Sequence, residues 1–163
     1  MVNKRSRVVN ESAGNKPKPK LAALLQSPEV DSWRALMRAF QSIYQQLEKS
    51  LLVEDCSISR FQILFVLYME GPLPAVKIAR RLLVTRGNIS TFIKRLHADG
   101  IIMPIVTKPG QKRPFFQLTA KGRDLFENLF PRHIERVKKL MKPLSKEVLQ
   151  TLDEISKTRL PKN

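Results

Sequence analysis

Cysteine, histidine and acidic residues are all scarce in this chain of 163 residues. The single cysteine, Cys56, excludes an intrachain disulfide and any zinc cluster built on thiolates, and it suits a reducing compartment. The two histidines, His97 and His133, stand far apart and make no ligand spacing, so no metal is expected. There is no Gly-rich phosphate loop and no nucleophile–base pair in the sequence, which leaves no basis for an enzyme or for a cofactor. No apolar run is long enough to span a membrane, and no apolar core follows the N-terminal charges as in a secretory signal. Acids are the most telling deficit. Fourteen Asp and Glu face thirty Lys and Arg, a formal net charge of +16. An excess of that size implies an anionic partner, most simply nucleic acid, with a membrane surface as the second choice.

What is present divides the chain at about residue 26. Residues 1–20 carry Lys4, Arg5, Arg7, Lys16, Lys18 and Lys20 against Glu11 alone, with Gly14, Pro17 and Pro19 and almost nothing to bury. That composition reads as a disordered basic arm, either adding phosphate contacts or only solubilising the chain. The prolines and Glu11 argue against an organelle-targeting peptide. A short apolar patch, Leu21 to Gln26, closes this segment of 1–26.

From residue 27 the pattern is mainly helical. Ser27-Pro28-Glu29 is a helix start, with a capping hydroxyl, a proline at the first position and an acid in the first turn. Trp33, Leu36, Met37, Phe40, Ile43, Tyr44, Leu47 and Leu51 then keep helical spacing. Cys56 falls in the break that follows, where Glu54 and Asp55 disfavour a reactive thiolate. Ser59 begins a helix that is apolar nearly all round, the mark of a core centre, and Gly71-Pro72 ends it. Pro74 is expected at the first position of a short helix that buries Val76, Ala79 and Leu82.

The stretch Ile78–Gly100 organises the rest. Leu83-Val84 is a break and Thr85 a candidate N-cap, after which Ile89, Phe92, Ile93 and Leu96 recur on one helical face. The opposite side carries Gly87, Thr91, Lys94 and Ala98, with Ser90 and Arg95 on its shoulders and no acid before Asp99. Two short helices joined by so short a turn are a helix-turn-helix, provided small Ala79 lets them cross closely. The competing reading is a core helix with a solvated basic face, and periodicity does not separate the two. Position does. Ile101–Val106 and Phe115–Leu118 are β-compatible and flank the Pro-Gly turn Thr107–Pro114, giving a two-stranded hairpin with a basic tip. A cationic hairpin behind a candidate recognition helix makes a wing. Thr119 then caps a helix that Pro131 is expected to kink or split, and Ser145 starts the last one.

The order helix, helix, helix-turn-helix, basic wing, two helices resembles the MarR (multiple antibiotic resistance regulator) family of winged-helix transcriptional regulators. The resemblance rests on ISRFQILFVL, IARRLLVTRGNISTFIKRLHADG and KRPFFQLTAKG, with FPRHIERVKKLMKPLSKEVLQTL similar to the family's carboxy-terminal arm. It implies a mainly α fold with a small β hairpin, in which a winged helix-turn-helix lobe at 57–118 is carried by dimerisation helices at 27–56 and 119–163. It also implies a homodimer on a roughly palindromic operator, acting as a repressor in the cytoplasm on the nucleoid. One departure stands out: Gln111 occupies the place, two before Arg113, where the family usually has an acid that holds the wing arginine.

Roles follow from residue chemistry. Thr85 leaves first-turn N–H groups for a phosphate. Arg86, Asn88 and Thr91 are the candidates for base edges, and Gly87 for close backbone approach. Ser90, Lys94 and Arg95, with Lys112 and Arg113 of the wing, are assigned to phosphates. Small anionic aromatic ligands are a further expectation from the resemblance, with Trp33, Phe40, Tyr44, Phe61 and His133 as the candidate pocket. Two other readings stay open: a non-specific architectural nucleic-acid-binding protein driven by charge, and a winged helix that binds protein.

Overall fold

A computed structural model describes residues 19–106 and 113–159, apart from the side chains of Pro19 and Arg86. The basic arm up to residue 18, the hairpin tip with Gln111 and Lys112, and residues 160–163 lie outside the described residues. The chain forms two compact units, residues 1–41 and 42–163.

In the first unit α1 (Pro19–Ala23) precedes the start of α2 (Pro28–Leu52). The Ser27 hydroxyl accepts the Val30 N–H at 3.3 Å, the expected cap. Leu21, Leu24, Leu25, Trp33, Leu36, Met37 and Phe40 are all exposed.

The second unit is built on α3 (Ile58–Glu70), whose Ile58, Phe61, Ile63, Leu64, Val66 and Leu67 are buried. The helix begins one residue before the expected Ser59. Ser57 is its cap, accepting the Arg60 N–H at 3.2 Å, and Glu48 accepts the Ile58 N–H at 2.5 Å. Around α3 pack α4 (Ala75–Leu82) through Ile78 and Ala79, α5 (Arg86–Ala98) through Ile89, Ile93 and Leu96, and α6 (Ala120–Met141) through Phe126 and Leu129. Tyr68 ties α3 to α6: its hydroxyl lies 2.8 Å from Glu127, its ring 4.6 Å from Phe126, and Arg123 sits over its face. The last helix, α7 (Lys146–Lys157), is capped by Ser145 but buries nothing, and Val148, Leu149 and Ile155 stay exposed.

Two expectations need correction. The wing is part of a three-stranded antiparallel sheet, not a two-stranded hairpin: β1 (Leu73–Pro74) pairs with β3 (Phe115–Leu118), which pairs with β2 (Ile102–Ile105). Pro74 is therefore a strand residue and the N-cap of α4, with extended backbone, rather than its first helical residue. A strand of two residues is too short to show alternation. Of the kink or split expected at Pro131, the split does not occur: α6 runs unbroken through it, with Leu129 and His133 buried on either side.

The helix-turn-helix break holds a local strain. Leu83 adopts a left-handed conformation (φ 54°, ψ 35°) that closes α4, and its side chain is 93 % exposed. An L-residue with a Cβ pays for that conformation, and glycine or asparagine is the usual occupant. Leu83→Asn should therefore raise the unfolding free energy by about 0.5–1 kcal/mol in urea titration. A loss of stability would mean that Leu83 is buried in solution.

Candidate nucleic-acid interface

The interface is organised by the seating of α5. Thr85 caps it, accepting the Asn88 N–H at 3.3 Å, while its carbonyl accepts from Ile89 at 3.1 Å. That leaves the N–H groups of Arg86 and Gly87 at an open helix start, where the dipole favours an anion. Ile89, Ile93 and Leu96 are buried behind, and Gly87, Asn88, Ser90, Thr91, Lys94 and Arg95 are exposed in front. The Thr91 hydroxyl bonds back to the Gly87 carbonyl at 3.4 Å, which leaves its methyl as the group to meet a thymine. A Cβ built on Gly87 finds nothing nearer than the Thr85 hydroxyl at 4.0 Å, so the fold does not need glycine there.

The far end of α5 is held by several bonds. Gly100 takes a positive φ of 67°, the Ile101 N–H returns to Leu96 at 2.9 Å, and the Thr119 hydroxyl donates to the Gly100 carbonyl at 2.7 Å. Lys121 donates to the Asp99 carbonyl, and the Asp99 carboxylate pairs with Arg60 of α3, each at 2.9 Å. The tie from Arg60 to the end of α5 was not legible in the sequence, because its partner lies 39 positions away and no local period connects them.

Arg113 at the base of the wing lines a cavity of about 290 Å³ with Pro74, Val76, Ile89, Ser90 and Phe116. The fold thus brings Arg113 and Ser90 together at the N-terminal half of α5. Lys112 and the side chain of Arg86 lie outside the described residues.

Of the candidate ligand residues, Phe61 and His133 are buried and stacked, with ring centroids 4.2 Å apart. Burial first, then the charge of Arg136, pushes the His133 imidazole below its ordinary pKa; Glu54 opposes this. Glu54 itself lies between Arg132 and Arg136, at 2.7 and 2.6 Å. Partial burial and the nearby Glu48 raise the Tyr44 phenol. Trp33 and Phe40 belong to the first unit and are exposed. Cys56 is fully buried, and its thiol is pushed up to about 11 by burial, with Glu48 and Glu54 behind it and Arg60 opposing. Burial, rather than the neighbouring acids, is the leading cause of this rise.

A capped helix with an apolar back and a cationic front, crossed by a short helix and flanked by a small antiparallel sheet, is a winged helix-turn-helix arrangement. Residues 56–103 match the model of the MarR family. MhqR of Bacillus subtilis, an HTH-type transcriptional regulator, is 25 % identical over 122 residues, which cover 75 % of this chain and 84 % of MhqR. A mutant of MarR from E. coli complexed with operator DNA superposes with a TM-score of 0.70 at 20 % identity, covering 81 % of this chain and 95 % of the other. BpsR of Bordetella bronchiseptica, whose DNA binding is regulated by 6-hydroxynicotinic acid, gives 0.68 at 18 %, covering 77 % and 98 %. The MarR family match covers residues 56–103, and over most of its length the chain is similar to an HTH-type transcriptional regulator and to the solved structure of MarR. No helix among the described residues is long and apolar enough to cross a membrane.

Proposed function

We propose that the protein is a homodimeric, sequence-specific repressor that inserts α5 into the major groove of a roughly palindromic operator. The observation that carries this reading is the division of α5 into a buried Ile89–Ile93–Leu96 back and an exposed front of small, amide and cationic side chains, with no acid from Arg86 to Ala98. Asn88 and Thr91, with Arg86, read base edges; Ser90, Lys94 and Arg95 take backbone phosphates; Arg113 and Lys112 reach the minor groove or flanking phosphates. Gln111 favours phosphate contact by the wing, since no acid stands there to orient Arg113.

Dimerisation is supported by apolar side chains left uncovered, on α7 (Val148, Leu149, Ile155) and on the start of α2 (Trp33, Leu36, Met37, Phe40). Two identical recognition helices related by a twofold axis would meet half-sites about one helical turn apart, roughly 34 Å. A dimer seated on a promoter blocks access, hence repression, in the cytoplasm on the nucleoid. A response to a small anionic aromatic ligand is the last part of the reading, and it takes its support from the regulation of BpsR.

Selection of bound fragments from genomic DNA, followed by affinity on the selected site and on random duplex at physiological salt, tests the reading. A shared palindromic element and a preference of at least about 10³-fold are expected. No common element, with near-equal affinities, would leave a charge-driven architectural protein. No duplex binding at all would leave a protein-binding winged helix.

A further inference from the structure

The Arg60–Asp99 pair joins the core helix to the end of the recognition helix, and its surroundings are unusual. Arg60 Nη1 meets Asp99 Oδ2 at 2.9 Å, while Arg60 Nε is buried with no hydrogen-bond partner among the described residues. Beside the pair a cavity of about 250 Å³ opens between the Asp55–Ser57 turn, Arg60 and the C-terminal half of α5 at Phe92, Arg95 and Asp99. Close packing is therefore missing on this flank of α5, and a polar tie bridges the gap. Both partners are partly solvated, with side chains 27 % and 47 % exposed, so the pair itself adds little to global stability. Its consequence lies in where it directs the Asp99 carboxylate.

Asp99 stands four residues after Arg95, the spacing at which helical side chains pair, and the Asp99 N–H already bonds the Arg95 carbonyl at 2.9 Å. Asp99 is the first acid after the cationic face. Turned along α5 it would neutralise Arg95; turned to α3 it leaves Arg95, which has no ion pair among the described residues, open to solvent and to an anion.

The geometry points to Arg60 as a positioning residue for DNA binding: by holding the Asp99 carboxylate against α3 it keeps Arg95 available for a backbone phosphate. This rests on the proposed phosphate role of Arg95. In the Arg60→Gln variant Asp99 is released, swings to Arg95 and cancels one cation of the interface. A merely structural role for Arg60 would lower stability without changing the number of counterions displaced by DNA.

The experiment is a salt titration of affinity for one fixed duplex, using the full chain and four variants, with thermal melting as a folding control. Arg95→Ala should flatten the slope of log K against log salt by about 0.9, the loss of one phosphate contact. Arg60→Gln should flatten it by the same amount and weaken binding several-fold, while Arg60→Gln with Asp99→Asn should restore the wild-type slope. Arg60→Lys, which keeps a cation for Asp99, should match the wild type. If Arg95→Ala leaves the slope unchanged, the phosphate reading of Arg95 fails. If Arg95→Ala flattens it but Arg60→Gln does not, or the double variant stays as flat as Arg60→Gln, the positioning role is overturned. Should Arg60→Gln fail to fold, Arg60→Ser with Asp99→Asn replaces it as the neutral pair; a slope below wild type in that variant equally overturns the role.

Discussion

Gly122→Ala should destabilise the winged lobe by about 1–3 kcal/mol, against the sign that helix propensity alone demands. Gly122 lies in the first turn of α6, where alanine would ordinarily be favoured by up to about 1 kcal/mol. Here a Cβ would fall 2.1 Å from the Ile101 carbonyl oxygen, 3.1 Å from its carbon and 3.2 Å from Cγ2 of the same residue. The obstacle is backbone, and it cannot retreat freely. The Ile101 oxygen accepts from the Thr119 N–H at 3.0 Å and lies 3.2 Å from the Thr119 hydroxyl, the same hydroxyl that caps α6 through the Gly122 N–H at 3.1 Å. Relieving the clash means moving α6 off the chain that leaves α5, which disturbs the core at Ile101 and Phe126 together. Denaturant unfolding reads the change directly. A more stable Gly122→Ala would show that this close approach does not exist in solution.

Gly87 should behave in the opposite way. Among the described residues outside its own helix backbone and chain neighbours, the nearest atom to a Cβ there is the Thr85 hydroxyl at 4.0 Å, so Gly87→Ala should stabilise the fold by about 0.5 kcal/mol, as alanine does within a helix. The same methyl would stand on the face proposed to enter the groove, beside Asn88 and Thr91, and hold the backbone away from the bases. Specific affinity should fall by about tenfold or more, roughly 1.4 kcal/mol, as the melting temperature rises. Asn88→Ala supplies the comparison, at a cost of about 1–3 kcal/mol on the selected operator and little on random duplex. Calorimetry and paired titrations on the two duplexes measure all of these. If Gly87→Ala raises stability and leaves operator affinity intact, that face of α5 does not meet DNA.

Much of the helical architecture was legible because its signals are local. Thr85, Thr119 and Ser145 were recognisable as caps from the polar residue before each periodic run, and each accepts the backbone N–H three residues on. Of the stripe Ile89, Phe92, Ile93 and Leu96 read from spacing, Phe92 is half-buried and the other three are buried, and with them the outward face was legible. The break at Leu83-Val84 was visible, but the left-handed conformation of Leu83 was not, because leucine is a poor signal for positive φ. Strand β1 escaped notice for a different reason. Two residues have no period, and only their register with Phe115 and Phe116 makes them a strand.

The sequence by itself determined the excess of positive charge, the order of helices and wing, and which side of each amphipathic helix is apolar. Those are properties of neighbours within a few positions, where composition, capping and periodicity act. Only the tertiary structure decided which groups meet across the fold: Arg60 with Asp99, Tyr68 with Glu127, Phe61 with His133, and Gly122 against Ile101. Periodicity says that a face is buried but not against what. The partner is chosen by shape and by the pairing of buried polar groups, between residues that the chain brings together only when it folds.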